Sequence, residues 1–182
     1  MNNYQPHKNK SLRLLRPKNR EIKKISLAEI QQTEKEVGGS FPTGYVNFLL
    51  NYNGLMFYDV SYPLIDPCPI GARQIVSVLF CISPGDNYNL IDRYHTFRDR
   101  LPLNFLPIAC DGMGNLVCLS IEGNDKGYVY FWQHDAEESV DDNERQGYAE
   151  DIYLAAKSFE EFIDSLAIDD EDEIDDEDEI DE

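Results

Sequence analysis

The sequence predicts an α+β domain in which helices pack against one mostly antiparallel β-sheet. Two capped helical patterns open the globular part of the chain, a β-hairpin lies at residues 111–135, and a third capped helical pattern lies near the end. Strands grouped between helices, rather than alternating with them, are typical of α+β domains. We therefore expect a sheet built around the hairpin, with an N-terminal helical pair, one inserted helix and a C-terminal helix packed against it.

The hairpin is the strongest local signal in the chain. Two β-rich runs, residues 116–121 and 128–132, flank the Gly/Asn/Asp-containing segment 123–127. Glycine and asparagine provide the positive φ angles of a tight reversal, so this arrangement favours a hairpin. A second turn, residues 111–115, leads into it. We expect the rest of the chain to pack around these two strands.

The first helix, residues 25–37, is defined by its two ends. Ser26 and Glu29 form a capping box, in which the side chain of each residue bonds the backbone amide of the other. Gly38 and Gly39 end the helix, because glycine adopts the left-handed cap conformation without strain.

The second helix, residues 43–52, follows a proline, which the first turn of a helix tolerates. Its apolar side chains recur every three or four residues, and an Asn-Gly pair ends it. The residues of this segment that reappear below are Phe41, Pro42, Tyr45, Phe48, Asn53 and Gly54.

The remaining elements follow from shorter patterns. Strands are predicted at 55–60, 74–82, 105–109 and 152–155, and a helix at 88–100. The Pro-rich link between the first two strands cannot continue the interior of a sheet. A last helix begins at Ser158, again with a capping box.

Charge divides the chain into three parts. Residues 1–24 form a basic arm of net charge +7, residues 25–167 form the globular domain, and residues 168–182 form an acidic tail. Twelve acids and no base occupy residues 169–182, so like-charge repulsion predicts disorder there. Residues 25–168 carry a net charge of −14.

An acidic domain repels nucleic acid and anionic membranes and attracts basic proteins. We therefore expect no direct nucleic-acid or membrane binding; solubility alone is the alternative reason for the charge. The four cysteines show no metal-ligand spacing and are interpreted as free thiols, and the start of the chain has no apolar signal segment. These features predict a cytoplasmic protein.

Two clusters contain side chains that could take part in catalysis or bind an ion. His134 and Asp135, beside Trp132, resemble an acid–base pair, but no third group is implied and a structural role at a strand end is favoured. The segment 111–115 has alternating glycines but lacks the phosphate-loop pattern and the twelve-residue calcium loop. We interpret it as a turn in which Asp111 and Asn115 cap their own backbone.

Acidic side chains are the candidate contacts for a protein partner. Glu34 interrupts an apolar helix face, where it either caps a backbone amide or borders a binding groove. The loop 136–150 carries an acidic run, which is either a contact element or a solvated surface. The partner-binding candidates are Glu34, Glu137, Glu138, Asp141, Asp142 and Glu144.

In its order of motifs the chain resembles the SUKH superfamily, the Smi/Knr-type proteins, from about residue 25 to residue 166. Besides the capped first helix with Glu34 and Gly38 and the closing helix, the motif positions are occupied by Phe41, Pro42, Tyr45, Phe48, Asn53, Gly54, Asp111, Gly112, Gly114, Asn115, Trp132, His134 and Asp135. Phe41, Leu55 and Asp135 stand where the family often has leucine, glycine and glutamate.

The resemblance implies an immunity protein that binds a polymorphic toxin, often a nuclease, and occludes its active site. A basic toxin domain is then the expected partner, and no enzymatic activity, cofactor or metal is expected. The alternative is a scaffold or regulator of cell-wall glucan synthesis, as described for fungal relatives. The sequence leaves the oligomeric state open.

Overall fold

The computed structural model describes residues 23–58, 60–134 and 151–168. Within these ranges the chain forms two antiparallel sheets and four α-helices, which confirms the α+β class. The helices are α1 (Leu27–Val37), α2 (Thr43–Asn51), α3 (Leu90–Phe97) and α4 (Phe159–Ser165). The strands are β1 (Leu55–Met56), β2 (Val60–Pro63), β3 (Arg73–Ile75), β4 (Val78–Leu79), β5 (Phe105–Cys110), β6 (Leu116–Ser120), β7 (Val129–Trp132), β8 (Ile152–Ala156) and β9 (Ala167–Ile168). No helix in the described ranges has both the length and the apolar character needed to cross a membrane.

The predicted hairpin lies in the interior of the larger sheet. That sheet has the strand order β1-β4-β5-β6-β7-β8, and β6 pairs with β7 from Leu116↔Trp132 to Leu119↔Val129. Every residue of β6 is buried. Positive φ angles occur at Gly123 and Gly127 in the connecting loop, as the turn composition predicts. The hairpin prediction is confirmed.

The caps of α1 form as predicted. The Ser26 side chain accepts a hydrogen bond from the Glu29 amide, and the Glu29 carboxylate accepts from the Ser26 amide at 2.8 Å. The hydrogen bonds from the backbone and side chain of Ser26 hold the pKa of Glu29 below its usual value. Gly38 ends the helix with φ +77°.

The strands predicted at 55–60 and 74–82 are each divided between the two sheets, so these two predictions are wrong as single strands. β1 and β4 belong to the larger sheet, whereas β2 and β3 belong to a smaller one with the order β3-β2-β9. Both chain segments pass from one sheet to the other at the same place, where the Phe57 amide donates to the Ser77 carbonyl at 2.7 Å. Buried residues lie around the crossing in both segments, Phe57 and Val60 in one and Val76 and Val78 in the other, so the hydrophobic pattern does not mark the break.

Strand β9 extends the packed domain by one residue beyond the predicted boundary. Ile168, assigned to the tail by sequence, pairs with Val60, and Ala167 pairs with Ser61. A two-residue strand followed directly by an acidic repeat carries no periodicity that could identify it.

Two buried tyrosines provide a test of the core. The hydroxyls of Tyr45 and Tyr62 have no hydrogen-bond partner among the described residues, and burial raises the pKa of both well above the usual value. We expect Tyr62→Phe to leave the free energy of unfolding unchanged or to raise it by up to about 1 kcal/mol, because it removes an unsatisfied polar group. Urea unfolding measures this.

The matched control is Tyr130→Phe. The Tyr130 hydroxyl donates to Asp125 Oδ2 at 2.9 Å. Its removal should lower the free energy of unfolding by about 1 kcal/mol, the net value of one hydrogen bond. If Tyr62→Phe lowered the free energy of unfolding as much as Tyr130→Phe does, the Tyr62 hydroxyl would have a hydrogen-bond partner in solution.

Candidate functional site

The turn at residues 111–115 is organised by one carboxylate. Asp111 Oδ1 accepts hydrogen bonds from the Met113 amide at 2.8 Å and the Asn115 amide at 3.0 Å. Asp111 Oδ2 accepts from the Asn115 side-chain amide at 2.7 Å. Gly112 is exposed, and Gly114 adopts φ +101°. The interpretation as a turn whose backbone is capped by Asp111 is confirmed. The same role predicted for Asn115 is wrong, because its side chain bonds the Asp111 carboxylate and the His134 amide instead.

Asn115 connects the turn to the residues that follow β7. Its Oδ1 accepts a hydrogen bond from the His134 amide at 2.8 Å. A Cβ atom added at Gly114 would lie 3.6 Å from the His134 ring, an ordinary van der Waals contact, so the positive φ and not a lack of space favours glycine here. A hydrogen bond from the His134 amide to the Asn115 side chain thus brings these two residues together, with Gly114 beside the His134 ring. Asp135 lies outside the described residues, and its structural role at the strand end stays a prediction.

Trp132 anchors this end of the sheet to α3. Its side chain is 2% exposed and meets the Phe97 ring edge-on, with the centroids 6.0 Å apart. The Arg100 guanidinium lies 5.0 Å from the Trp132 ring centroid and 5.8 Å from that of Phe97. Sequence reasoning missed Arg100, because a cation–π contact depends on tertiary packing and leaves no local pattern.

Glu34 has the first of its two expected roles. Its Oε1 accepts a hydrogen bond from the Phe41 amide at 2.6 Å, which fixes the loop between α1 and α2. The same residue also lines a shallow depression together with Gln31, Lys35, Gly38 and Gly39. A contact between Glu34 and a partner stays a prediction.

The Asn53–Gly54 pair joins three chain segments. The Asn53 side chain, in a residue only 3% exposed, donates to the carbonyls of Ile82 at 3.1 Å and Lys23 at 2.9 Å. Its Oδ1 accepts from the Ile82 amide at 2.8 Å. Gly54 follows with φ +101° and packs so tightly that an added Cβ would lie 2.9 Å from the Cys81 Cβ.

The aromatic motif residues form part of the core between α2 and α4. Tyr45 packs edge-on against Phe41 and Phe159, with centroid distances of 5.4 and 5.0 Å. Phe48 lies 5.3 Å from the same Phe159 ring. Pro42 lies beside Gly127, at the tip of the hairpin. These residues fix the helical pair on the sheet.

The cysteines with shifted pKa values in the described ranges are not activated as nucleophiles, because activation requires a lowered pKa. Burial raises the pKa of Cys110 to about 11 and that of Cys118 further, which opposes thiolate formation. No group of three or more His, Cys, Asp or Glu side chains in the described ranges is placed to hold a metal ion.

The raised thiol pKa values predict slow alkylation. At pH 8 we expect iodoacetamide to label Cys110 on the order of 100-fold more slowly than a small free thiol, because the thiolate is scarce. The rate should rise as the pH approaches 11, the pKa of Cys110. Peptide mass spectrometry resolves each site, and urea-unfolded chain is the control. Labelling of native Cys110 at the unfolded rate at pH 8 would contradict the prediction.

Negative charge is concentrated outside the described residues. The described ranges contain nine Lys/Arg and fourteen Asp/Glu residues, whereas residues 135–150 contain seven acids and one base. The partner-binding candidates Glu137, Glu138, Asp141, Asp142 and Glu144 therefore lie outside the described residues. The two ends of this segment are adjacent, since the Gln133 amide donates to the Asp151 carbonyl at 3.0 Å.

The Asp111 turn should be stabilising. We expect Asp111→Ala to lower the free energy of unfolding by about 2 kcal/mol, because two backbone amides and the Asn115 side chain lose their acceptor. Asp164, exposed on α4, is the control, and Asp164→Ala should change the free energy by less than about 0.5 kcal/mol. Denaturant unfolding followed by Trp132 fluorescence measures both; equal effects would show that the turn forms without the carboxylate.

Comparison with known proteins gives three findings. The family model SUKH_6, described as "SMI1-KNR4 cell-wall", matches residues 27–163. An uncharacterized SPbeta prophage-derived protein of Bacillus subtilis (strain 168), YokK, is 30% identical over 151 residues, covering 76% of this chain and 72% of YokK. A crystal structure of a protein from Pseudomonas syringae pv. tomato aligns with a TM-score of 0.49 and 17% identity, covering 67% of this chain and 78% of that one.

Proposed function

The chain belongs to the SUKH family of SMI1-KNR4 proteins, and from this premise we propose that it is an immunity protein. It binds a basic toxin domain in the cytoplasm and neutralises it by occluding the active site, without catalysis of its own. The observation that carries the proposal is a folded domain whose motif side chains bond within the chain, joined in the sequence to two strongly acidic segments.

The motif side chains support a scaffold role. Asp111, Asn115, Glu34 and Asn53 each accept a hydrogen bond from a backbone amide of this chain through a side-chain oxygen. Groups that are already bonded internally have little capacity left for substrate chemistry. Function is then expected on the outer surface, because loops that a rigid scaffold positions commonly carry binding residues.

The charge distribution supports a basic partner. Residues 135–150 and 169–182 together contain nineteen acids and one base. Toxin domains that act on nucleic acid need a positive surface, and opposite charge speeds association by about 10-fold or more at low salt. The acidic segments then act as a mimic of the toxin's own polyanionic substrate.

Co-expression with the toxin domain encoded by the adjacent gene tests the proposal. We expect host cells to survive with the intact chain and to die without it. Association kinetics should slow steeply between 50 and 500 mM salt, and Asp141→Lys/Asp142→Lys should weaken binding. Glu122→Lys/Asp164→Lys, at two exposed residues outside the acidic segments, is the charge-matched control. Host death despite expression of folded chain would reject immunity, and a salt-independent on-rate would reject the charge mimicry alone.

A second candidate is a regulator of cell-wall synthesis, favoured by the description "SMI1-KNR4 cell-wall" of the matched family. The genomic neighbourhood separates the two candidates. A neighbouring gene for a long secreted protein with a small basic C-terminal domain favours immunity. Altered sensitivity to wall-active antibiotics in a deletion strain favours regulation.

A further inference from the structure

Positively charged side chains are concentrated on α3 and the turn that follows it. Residues 93–100 contain three arginines and one histidine, namely Arg93, His95, Arg98 and Arg100. The described ranges contain nine Lys/Arg and fourteen Asp/Glu residues, so a third of their basic residues falls within eight positions. A domain that binds only a basic partner has no use for this local positive charge.

Two of the arginines lie along one side of the helix. Arg93, Phe97 and Arg100 are spaced by four and three residues, which places them on one helical face. The helical turn continues past the end of α3, because the Arg98 amide donates to the Tyr94 carbonyl and the Arg100 amide donates to the Phe97 carbonyl, each at 2.9 Å. At a rise of 1.5 Å per residue, Arg93 and Arg100 are about 10 Å apart along the helix axis.

Aromatic rings support both guanidinium groups. The guanidinium carbon of Arg93 lies over the rings of Phe80 and Tyr88, at 5.9 and 5.8 Å from the ring centroids. The guanidinium carbon of Arg100 lies over Trp132 at 5.0 Å. Phe80 and Trp132 are core residues, so the two arginines rest on rings whose own positions are fixed by packing.

A guanidinium that lies over a ring keeps its hydrogen-bond donors available. The contact with the ring uses the flat face, whereas the five N–H donors point outward in the plane of the group. Arg93 donates through Nη2 to the Asn87 carbonyl at 2.7 Å, and no carboxylate of the described residues lies within 4 Å of its guanidinium nitrogens. Both arginines are partly buried, where opposite charges attract more strongly than in open solvent.

The acids near these arginines are mostly bonded elsewhere. Four lie on or beside α3 in the described ranges: Glu36, Asp92, Asp99 and Asp111. Glu36 Oε1 lies 3.2 Å from His95 Nε2, and Asp99 Oδ1 lies 3.8 Å from Arg98 Nε. Both carboxylate oxygens of Asp111 accept hydrogen bonds within its own turn. The remaining acid directly precedes the first of the two arginines, and adjacent residues of a helix do not face each other.

We propose that Arg93 and Arg100 form a binding site for an acidic segment of a partner protein. One carboxylate binds each guanidinium, and the spacing of about 10 Å corresponds to three residues of an extended peptide. A peptide is favoured over nucleic acid, because the described ranges have five more acids than bases and repel a long polyanion, whereas a short peptide meets only the two arginines. The partner is opposite in charge to the proposed toxin, so this site does not depend on the proposed function.

Binding of an acidic peptide to the full-length chain tests the site. The probe is a fluorescein-labelled peptide of repeated Glu-Gly-Ser triplets, whose successive carboxylates are about 10 Å apart when it is extended. The same peptide with glutamine in place of glutamate is the blank. We expect Arg93→Gln/Arg100→Gln to raise the Kd about 10-fold or more in fluorescence anisotropy, because it removes two charge-assisted contacts. Lys126→Gln/Lys157→Gln removes the same charge at two exposed residues outside α3 and should change the Kd by less than about twofold.

A measurement on the wild-type chain covers the case in which the double variant does not fold. The Nε–Hε signals of Arg93 and Arg100 in an NMR spectrum should shift when the acidic peptide is added. The signal of Arg73, whose Nε donates to Ser61 Oγ at 2.9 Å in the smaller sheet, should stay in place. Unmoved signals of both Arg93 and Arg100 would overturn the proposal.

Three further results would also overturn it. Equal losses in the two double variants would mean that only net charge attracts the peptide. Tighter binding of single-stranded DNA than of the acidic peptide would assign the two arginines to nucleic acid. A dimer in sedimentation that Arg93→Gln/Arg100→Gln dissociates would assign them to a second copy of the chain.

Discussion

Asn53→Ala is expected to lower the free energy of unfolding by about 3 kcal/mol. The substitution leaves the amide and the carbonyl of Ile82 and the carbonyl of Lys23 without the partner that the Asn53 side chain provides. Buried backbone groups that lose a partner cost their full desolvation penalty. Asn53 also adopts φ +46°, a conformation that asparagine tolerates better than alanine does. Equilibrium urea unfolding, followed by tryptophan fluorescence, measures the loss.

Asn51→Ala is the matched control, two residues earlier in the same segment. The Asn51 side chain is exposed and donates only to the Asn47 carbonyl, one turn back in α2. Alanine is a better helix former, so the free energy of unfolding should change by less than about 0.5 kcal/mol. If both variants lost the same stability, the bridge from Asn53 to Ile82 would not contribute, and the account of this motif would fail.

Gly54→Ala is expected to cost a similar amount, about 3 kcal/mol. Two effects combine: φ of +101° strains any residue with a Cβ, and that Cβ would lie 2.9 Å from the Cys81 Cβ and 3.1 Å from the Leu79 carbonyl oxygen. Neither neighbour is the end of a flexible side chain, so the strands must shift. Thermal and denaturant unfolding of the purified variant measure the cost.

Gly85→Ala separates the two effects. Gly85 has φ +84°, but an added Cβ would meet no atom within 4 Å. This variant should lose only the conformational part, about 1 kcal/mol. A Gly54→Ala variant no less stable than Gly85→Ala would show that the close approach to Cys81 relaxes without cost.

Local signals predicted the parts of the fold that local interactions determine. The caps of α1 and α4, the turn at Asp111 and the hairpin turn are each formed by side chains a few residues apart. Capping and turn chemistry act over such distances whatever the rest of the chain does. The sequence could therefore place these elements within a few residues.

The features of the fold that the sequence did not predict depend on pairing between residues far apart in the chain. The division of two predicted strands between two sheets depends on the crossing at Phe57 and Ser77, which are twenty residues apart. The pairing of Ile168 with Val60 spans still more of the chain. A hydrophobic pattern records only which side is buried, not which sheet buries it.

The candidate site was predictable to a similar extent. Asp111, Asn115 and the strand-end position of His134 were identified, because turn residues and a Trp-containing strand mark them. Arg93 over Phe80 and Arg100 over Trp132 were not identified. The contact between a guanidinium and a ring is a property of the packed domain, and arginines on a helix look alike in the sequence whether they lie over a ring or in solvent.

Because the two chain segments that meet at Phe57 and Ser77 contribute strands to both sheets, we expect the two sheets to unfold together. A ligand that binds one sheet of the folded domain therefore stabilises the other sheet as well. Its binding free energy is added to the resistance of the whole domain to proteases, by mass action on a single folded unit.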